Sequence, residues 1–196
     1  MKSVYNPWLK RILDVVIAFF LLMVLSWLMM AIALVYLLSF NFPVVYKQPR
    51  LGKDQKPFLL FKFRTLTNQT DLPLLQRQFA WGSFLRRWSL DELPQLWNVL
   101  KGEMSLIGPR PLLMEYAPLF SDEQNQRHEV RPGITGLAQV NGRTAISWKV
   151  KLQYDVDYVK QLSLALDIKI LCRTVVLLFS FKEDVSLQEK KFTGKE

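Results

Sequence analysis

Val15-Val16-Ile17-Ala18-Phe19-Phe20-Leu21-Leu22-Met23-Val24-Leu25-Ser26-Trp27-Leu28-Met29-Met30-Ala31-Ile32-Ala33-Leu34-Val35-Tyr36-Leu37-Leu38-Ser39-Phe40 is the stretch on which the rest of the chain depends. It is the apolar centre of a charge-free run from Val15 to Tyr46, bounded by Asp14 and Lys47. About 20 such residues cross a bilayer as a helix, because lipid offers backbone N–H and C=O groups no partner outside the segment. The run is too long for the apolar part of a cleaved secretion signal, and no small-residue cleavage site follows it. A membrane helix is therefore expected.

Its flanks leave the topology open. Lys2, Lys10 and Arg11 precede it; Lys47, Arg50, Lys53 and Lys56 follow. The positive-inside rule places the richer flank in the cytoplasm and a poorer one outside, yet both flanks here are basic. One reading is a spanning helix. The other is a re-entrant helical hairpin that returns to the side it came from. The hairpin needs a break near its middle, where Ser26 is the only polar residue and no proline removes a backbone donor.

Working outward, the 196 residues favour one domain on length, at ~100–200 residues per domain. The chain carries 26 Lys+Arg against 17 Asp+Glu, a net charge of +9, and is 50% hydrophobic, so it is no disordered polybasic tail. One cysteine, Cys172, excludes an internal disulfide and any multi-cysteine zinc site. One histidine, His128, excludes histidine-pair metal sites and argues against a Ser-His-Asp triad. The glycine-rich nucleotide loops are missing. Val44–Gln48 and Phe58–Arg64 read as strands around a turn-rich stretch, a β-hairpin directly after the membrane helix.

Residues 47–90 hold nine positive and two negative charges, and residues 91–130 three positive and seven negative. The basic block suits anionic headgroups or phosphates, and the acidic block beside it suits a metal-bound diphosphate. Arg131-Pro132-Gly133 and Val140-Asn141-Gly142-Arg143 are turn signals, the Asn-Gly pair favouring a hairpin turn. A last hydrophobic helix is expected from Leu162 to Phe181, interfacial or in the core, with a charged, mobile tail from Lys182.

Ser89-Leu90-Asp91-Glu92-Leu93-Pro94-Gln95-Leu96-Trp97-Asn98-Val99-Leu100 carries the chemistry. Ser89-x-x-Glu92 matches a capping box. Pro94 argues for Asp91 as N-cap instead, since proline then falls in the first turn, where no donor is needed. Either register puts Asp91 and Glu92 at a helix start, where the dipole keeps Asp91 ionised. The adjacent carboxylates form a hard oxygen site for Mg²⁺, although acidic helix starts are common in any protein. Gly108-Pro109-Arg110-Pro111 locks an arginine between two prolines, as phosphate recognition or as a surface turn. Arg86-Arg87 add cations near the carboxylates, completing the mixture that phosphoryl transfer needs. His128 reads as a surface residue, Cys172 as packing, and Ser147-Trp148 as a helix start or a binding element.

Taken in order, these motifs resemble the monotopic phosphoglycosyl transferases, the bacterial sugar transferase family. The series is Lys10-Arg11-x-x-Asp14, Lys62-Phe63-Arg64-Thr65, Arg86, Ser89–Gln95, Asn98–Ser105, Gly108–Pro111, Arg131–Gly136, Gln139–Arg143, Asp155, Asp167-Ile168-Lys169 and Lys191-Phe192-Thr193-Gly194. The resemblance covers essentially the whole chain. It departs where the family's bend carries Ser-Pro and this chain has Ser26-Trp27.

The resemblance implies an α+β, mostly helical fold. A re-entrant membrane helix (1–43), bent at Ser26, a β-hairpin and interfacial amphipathic helices surround a small cytoplasmic catalytic domain (44–185) with a tail (186–196). It implies transfer of a phospho-sugar from a UDP-sugar to undecaprenyl phosphate, with release of UMP, as the first membrane step of glycoconjugate assembly. Asp91 becomes the nucleophile that forms a phosphosugar–aspartyl intermediate, and Glu92 the Mg²⁺ ligand. Lys62, Arg86 and Arg110 become phosphate-binding groups, with Pro111, Arg131 and Arg143 on the substrate side and Asp167 as a supporting acid. The expected partners are the UDP-sugar, undecaprenyl phosphate and membrane lipids at the cytoplasmic face of a bacterial inner membrane, with homodimerisation open. The small architecture favours an N-acetylated amino sugar, with a UDP-hexose as the alternative. The competing readings are a non-catalytic spanning scaffold, which leaves Asp91-Glu92 with Gly-Pro-Arg-Pro unexplained, and nucleic-acid binding, for which no motif is present.

Overall fold

The apolar run forms α1, Pro7–Leu38, a helix about 48 Å long at 1.5 Å per residue. The computed structural model describes residues 7–39, 43–69, 71–142, 146–180 and 191–194. The buried residues of α1 are Asp14 and Ala18 near one end and Ile32 and Tyr36 near the other. Ala18 packs with Leu96, Val99 and Met104, whereas Ile32 and Tyr36 pack with Phe63 and Leu85. Leu21, Leu22, Leu28 and Met29 are half-buried against the same two clusters, at the spacing of one helix face. Val16, Phe20, Met23, Trp27 and Met30 are exposed. The helix thus docks on the domain at both ends and turns a face outward that is apolar apart from Ser26.

Polar residues secure the N-terminal end. Arg11 donates to the carbonyls of Val99 (2.6 Å) and Leu100 (3.0 Å). Lys10 pairs with Asp167 at 2.8 Å, and Asp14 accepts from the Leu106 N–H at 3.0 Å. At the other end the Tyr36 hydroxyl donates to the Arg64 carbonyl. At Ser26, the expected bend, α1 stays helical, and the hydroxyl donates to the Met23 carbonyl at 2.8 Å. Such a back-bond satisfies the side chain within the helix and bends it slightly.

The hairpin forms as expected. Strands β1 (Val45–Leu51) and β2 (Pro57–Phe63) pair antiparallel, from Val45 opposite Phe63 to Leu51 opposite Pro57. Next come α2 (Ala80–Arg87), a 3-10 turn (Leu90–Glu92) and α3 (Gln95–Lys101). A short strand β3 (Ser105–Ile107) precedes a 3-10 turn (Met114–Leu119), α4 (Asp122–Asn125) and another 3-10 turn (Gln126–Glu129). Strand β4 (Gly133–Thr135) pairs parallel with β3. A Cβ on Gly133 would collide with the Gly108 main chain, so the two segments meet this closely only because glycine stands there.

The chain closes with α5 (Leu137–Asn141), α6 (Trp148–Lys160) and α7 (Leu164–Phe179). Asn141-Gly142 therefore ends a helix and makes no hairpin turn. Ser147 caps α6 and Ser163 caps α7, each accepting from a main-chain N–H three residues on. α7 buries Asp167 and Ile170 and exposes Ile168, Val175, Val176 and Phe179.

Three expectations need correction. His128 is buried, because the Gln126–Glu129 turn packs its ring edge against Phe120. Cys172 is exposed, on the outward side of α7. The end of the tail is fixed: Phe192 is buried among Tyr116, Phe120 and Trp148. The rest of the expected tail, residues 182–190 and 195–196, lies outside the described residues, as does Phe181 at the end of the expected helix.

Candidate active site

Asp91 and Glu92 lie in the 3-10 turn Leu90–Glu92, three residues before α3. Neither expected register holds. Ser89 makes no side-chain cap and adopts a left-handed conformation at φ 55°, and α3 starts at Gln95 with Pro94 as its N-cap residue. Proline's missing N–H does fall where no partner is needed, but one turn later than expected. The left-handed Ser89, unusual for a residue with a Cβ, swings the chain so that Asp91 turns inward.

Lys62 reaches this turn from β2. Its Nζ stands 2.6 Å from Oε1 of Glu92. Asn98 on α3 positions that strand: it is fully buried, donates to the Leu59 carbonyl (2.7 Å) and accepts from the Phe61 N–H (3.1 Å). One amide thus copies a neighbouring strand and fixes the pleat that carries Lys62. From the other side Arg110 brings Nη2 to 3.4 Å from the same Glu92 oxygen. Arg86, at the end of α2, has Nη1 3.4 Å from Thr65 Oγ1 and acts electrostatically on Asp91.

The two carboxylates are driven apart in acidity. Burial pushes Asp91 up to about 6; Lys62, Arg86 and Arg110 oppose that rise and Glu92 adds to it. Burial also pushes Glu92 up, but Lys62 and Arg110 outweigh it and hold the group well below the usual range. A helix dipole is thus not what keeps Asp91 ionised near neutral pH; the surrounding cations are. One carboxylate is permanently charged and paired. The other is poised, as expected of a nucleophile or base.

Arg50 and Arg127 belong to the surroundings of this site and were not singled out by their sequence context. Arg50, on β1, donates to the Pro111 carbonyl at 3.4 Å and to Gln48 at 2.7 Å. Burial, then Arg110, lowers its pKa to about 10. The Q-x-R step in a strand otherwise apolar at its end was the available signal. Pro111 is buried beside it. The other expected substrate residues lie elsewhere. Arg131 donates to the Gly102 carbonyl at 2.8 Å, at the far end of α3. Asp167 is buried between Lys10 and the Tyr158 hydroxyl, 2.8 Å from each. Arg143 lies outside the described residues.

Among the described residues no group of three His, Cys, Asp or Glu side chains gathers to hold a metal. Asp91 and Glu92 offer hard oxygen donors of the kind Mg²⁺ takes one or two of, filling its shell with substrate phosphates and water. The donor set fits such an ion and leaves most of its shell to the substrate.

Comparison with known proteins gives the chain a family. Residues 5–181 match the bacterial sugar transferase family. The chain is 47% identical over 194 residues to an uncharacterized sugar transferase, EpsL, of Bacillus subtilis, covering 95% of this chain and 96% of that protein. It is 41% identical over 189 residues to a UDP-glucose:undecaprenyl-phosphate glucose-1-phosphate transferase of Xanthomonas campestris, covering 88% of this chain and 39% of that one. It is 36% identical over 188 residues to a UDP-N-acetylgalactosamine-undecaprenyl-phosphate N-acetylgalactosaminephosphotransferase of Aeromonas hydrophila, covering 89% of this chain and 44% of that one. The chain belongs to the bacterial sugar transferase family.

Proposed function

We propose that this enzyme moves a sugar phosphate from a UDP-sugar to undecaprenyl phosphate at the cytoplasmic face of a bacterial inner membrane. The observation that carries this reading is the buried, poised Asp91 beside a Glu92 neutralised by Lys62 and Arg110. The names of the Xanthomonas and Aeromonas relatives support the substrate classes.

In the first step a carboxylate oxygen of Asp91 attacks the sugar-bearing phosphorus. The bond from that phosphorus to the UMP oxygen breaks, UMP leaves, and a phosphosugar–aspartyl ester remains. In the second step an oxygen of undecaprenyl phosphate attacks the same phosphorus, and Asp91 departs as the free carboxylate. The product is a sugar diphospho-lipid. Covalent catalysis splits one transfer into two and lets a soluble and a lipid substrate use one site in turn. Lys62, Arg86 and Arg110 hold the phosphates and offset the charge that builds on their oxygens. Mg²⁺, held by Glu92 and Asp91 with the diphosphate, would supply further charge neutralisation.

The docking of α1 supports placement on one side of the membrane. Arg11 and Tyr36, 25 residues apart on α1, both bond to the same domain. A spanning helix carries its ends to opposite sides of a hydrocarbon core about 30 Å thick. The two-ended docking therefore favours the re-entrant reading over the spanning scaffold. In a Cys172→Ser chain carrying Ser3→Cys, an impermeant maleimide should fail to label intact cells from outside; labelling there would sink the re-entrant placement.

The direct test of the reaction is the intact mass of the protein after brief exposure to UDP-glucose or UDP-N-acetylgalactosamine with Mg²⁺ and no lipid acceptor. A phosphosugar-sized adduct on the native chain, absent from Asp91→Asn, is expected with one donor. UMP release in the presence of lipid without any trappable adduct would count against the covalent step. Neither adduct nor UMP from a folded sample would overturn the enzyme reading.

A further inference from the structure

The loop that carries Arg110 lies between Pro109 and Pro111. Neither proline has an N–H to donate, so this loop is held mainly through its carbonyl oxygens. Each of the three consecutive carbonyls is anchored by a different element. The Gly133 N–H donates to that of Pro109 at 2.9 Å. Arg127 Nη2 donates to that of Arg110 at 2.6 Å. Arg50 Nη1 reaches that of Pro111 at 3.4 Å. The shortest of these anchors is that of Arg127, whose side chain is 2% exposed.

Arg127 is itself locked. Its Nε and Nη2 donate to Oδ2 of Asp155 at 3.1 and 2.8 Å, and Asp155 is as buried as its partner. The guanidinium also lies over the Phe120 ring, 5.7 Å from its centre. A buried ion pair is a poor way to gain stability, because desolvation of both charges offsets their attraction. What this pair does that two apolar residues would not is aim a rigid donor at one main-chain oxygen. The Arg110 side chain, by contrast, is half exposed, and a long cation is expensive in entropy to hold still unless its main chain is fixed.

We propose that Arg127, held by Asp155, is a positioning residue for sugar-phosphate transfer: it fixes the Arg110 main chain so that the Arg110 guanidinium faces Glu92 and the phosphate bound there. The proposal rests on the reading of the Asp91 site given above.

The test uses the full chain in detergent or membranes, with UMP release as the kinetic readout. Arg127→Met combined with Asp155→Leu removes the pair and its bond to Arg110 without leaving a buried unpaired charge. Thermal unfolding is expected close to that of the native chain, while kcat falls about tenfold, in the range typical of coupled neighbours. In an Arg110→Ala chain the same double change should cost kcat less than about twofold, since its target is gone. A full tenfold loss in that background, or an unchanged kcat in the first, overturns the proposal. If the double variant does not fold, Arg127→Lys replaces it, with the same expected direction and the same cycle.

A second arm needs no turnover. The rate at which phenylglyoxal modifies Arg110, read by peptide mass, should rise at least about threefold in the Arg127 variants as the loop loosens. Equal rates overturn the positioning role. A native chain that releases no UMP with any donor would refute the reaction, while the labelling arm would still decide the role of Arg127.

Discussion

The two ends of α3 gather arginines to opposite purposes. At its C-terminal end Arg11 and Arg131 donate to the carbonyls of Val99, Leu100 and Gly102, in the last turn, where helical N–H partners run out. Cations there also complement the negative end of the helix dipole. Gly102, at φ 85°, lets the chain turn away directly afterwards. Ahead of the N-terminal end, Lys62, Arg86 and Arg110 converge on carboxylates whose acidities are pushed apart, behind a serine in a left-handed conformation. One arginine type terminates a helix; the other neutralises charge that the fold deliberately crowds. What separates them is the partner each donor meets, which no spacing in the chain reveals.

The sharpest way to break this contrast is Asp91→Asn. Turnover should fall by on the order of 10⁴-fold or more, as when a nucleophile is removed. Because burial raises the Asp91 pKa in the folded chain, its charged form costs stability that reappears below the unfolded value and is lost as pH rises through about 6. Asn carries no such cost, so thermal unfolding at pH 7.5 should move up by the equivalent of roughly 1–3 kcal/mol. The native chain should correspondingly show kcat/KM rising through an acid limb near pH 6. An inactive variant that is also less stable, or a limb near pH 4, would mean that Asp91 is not the strained, poised group described.

Lys62→Met comes next. It should lower kcat/KM by about 10²–10³-fold, the usual loss of one preorganised donor, and leave Glu92 with Arg110 alone. At the opposite end, Arg11→Ala should reduce stability by about 1–3 kcal/mol through the Leu100 carbonyl it leaves without this donor. Arg131→Ala should cost about 1 kcal/mol, with kcat per folded molecule unchanged in both. If Arg131→Ala instead lowered kcat/KM tenfold without moving the unfolding midpoint, the distinction between the two ends would fail, and Arg131 would be reading substrate. The smallest effect is Ser89→Gly, which should stabilise the chain by about 0.5 kcal/mol, the relief of a left-handed φ being partly cancelled by the freedom glycine has when unfolded. Chemical denaturation would measure it, and a loss above about 1 kcal/mol would show that no strain is stored there.

Where local chemistry and tertiary structure agree, the sequence was enough. The hairpin could be read directly from Val44–Gln48 and Phe58–Arg64 around a turn-rich stretch, although β1 runs on to Leu51, and so could a last apolar helix from Leu162 to Phe181. Strands β3 and β4 span three residues each, too short for a period-2 pattern, and they pair only because Gly108, Gly133 and Gly136 let main chains approach. Ser89 looked like a cap because its hydroxyl suits one, but its left-handed backbone turns that hydroxyl away from the role. His128 and Phe192 are buried by long-range packing against Phe120, which nothing beside them in the chain announces. The convergence of Lys62, Arg86 and Arg110 on Asp91 and Glu92 was legible because all three carry their charge openly. Arg127 was not, since its function lies in one main-chain oxygen.

The two-ended docking of α1 has a consequence for how the chain is made. Ala18, Ile32 and Tyr36 are walls of two separate cores, so the helix is scaffolding as much as anchor. It leaves the ribosome before the segments that cover it, since domains take shape from the N-terminal side during synthesis. Its inner and outer stripes are both apolar, and lipid wets either equally well. In a bilayer, assembly would strip lipid from one side of this helix, and the polar clips at Lys10, Arg11 and Asp14 would mark that side. Cutting α1 away would leave an unwalled remnant in place of a soluble enzyme.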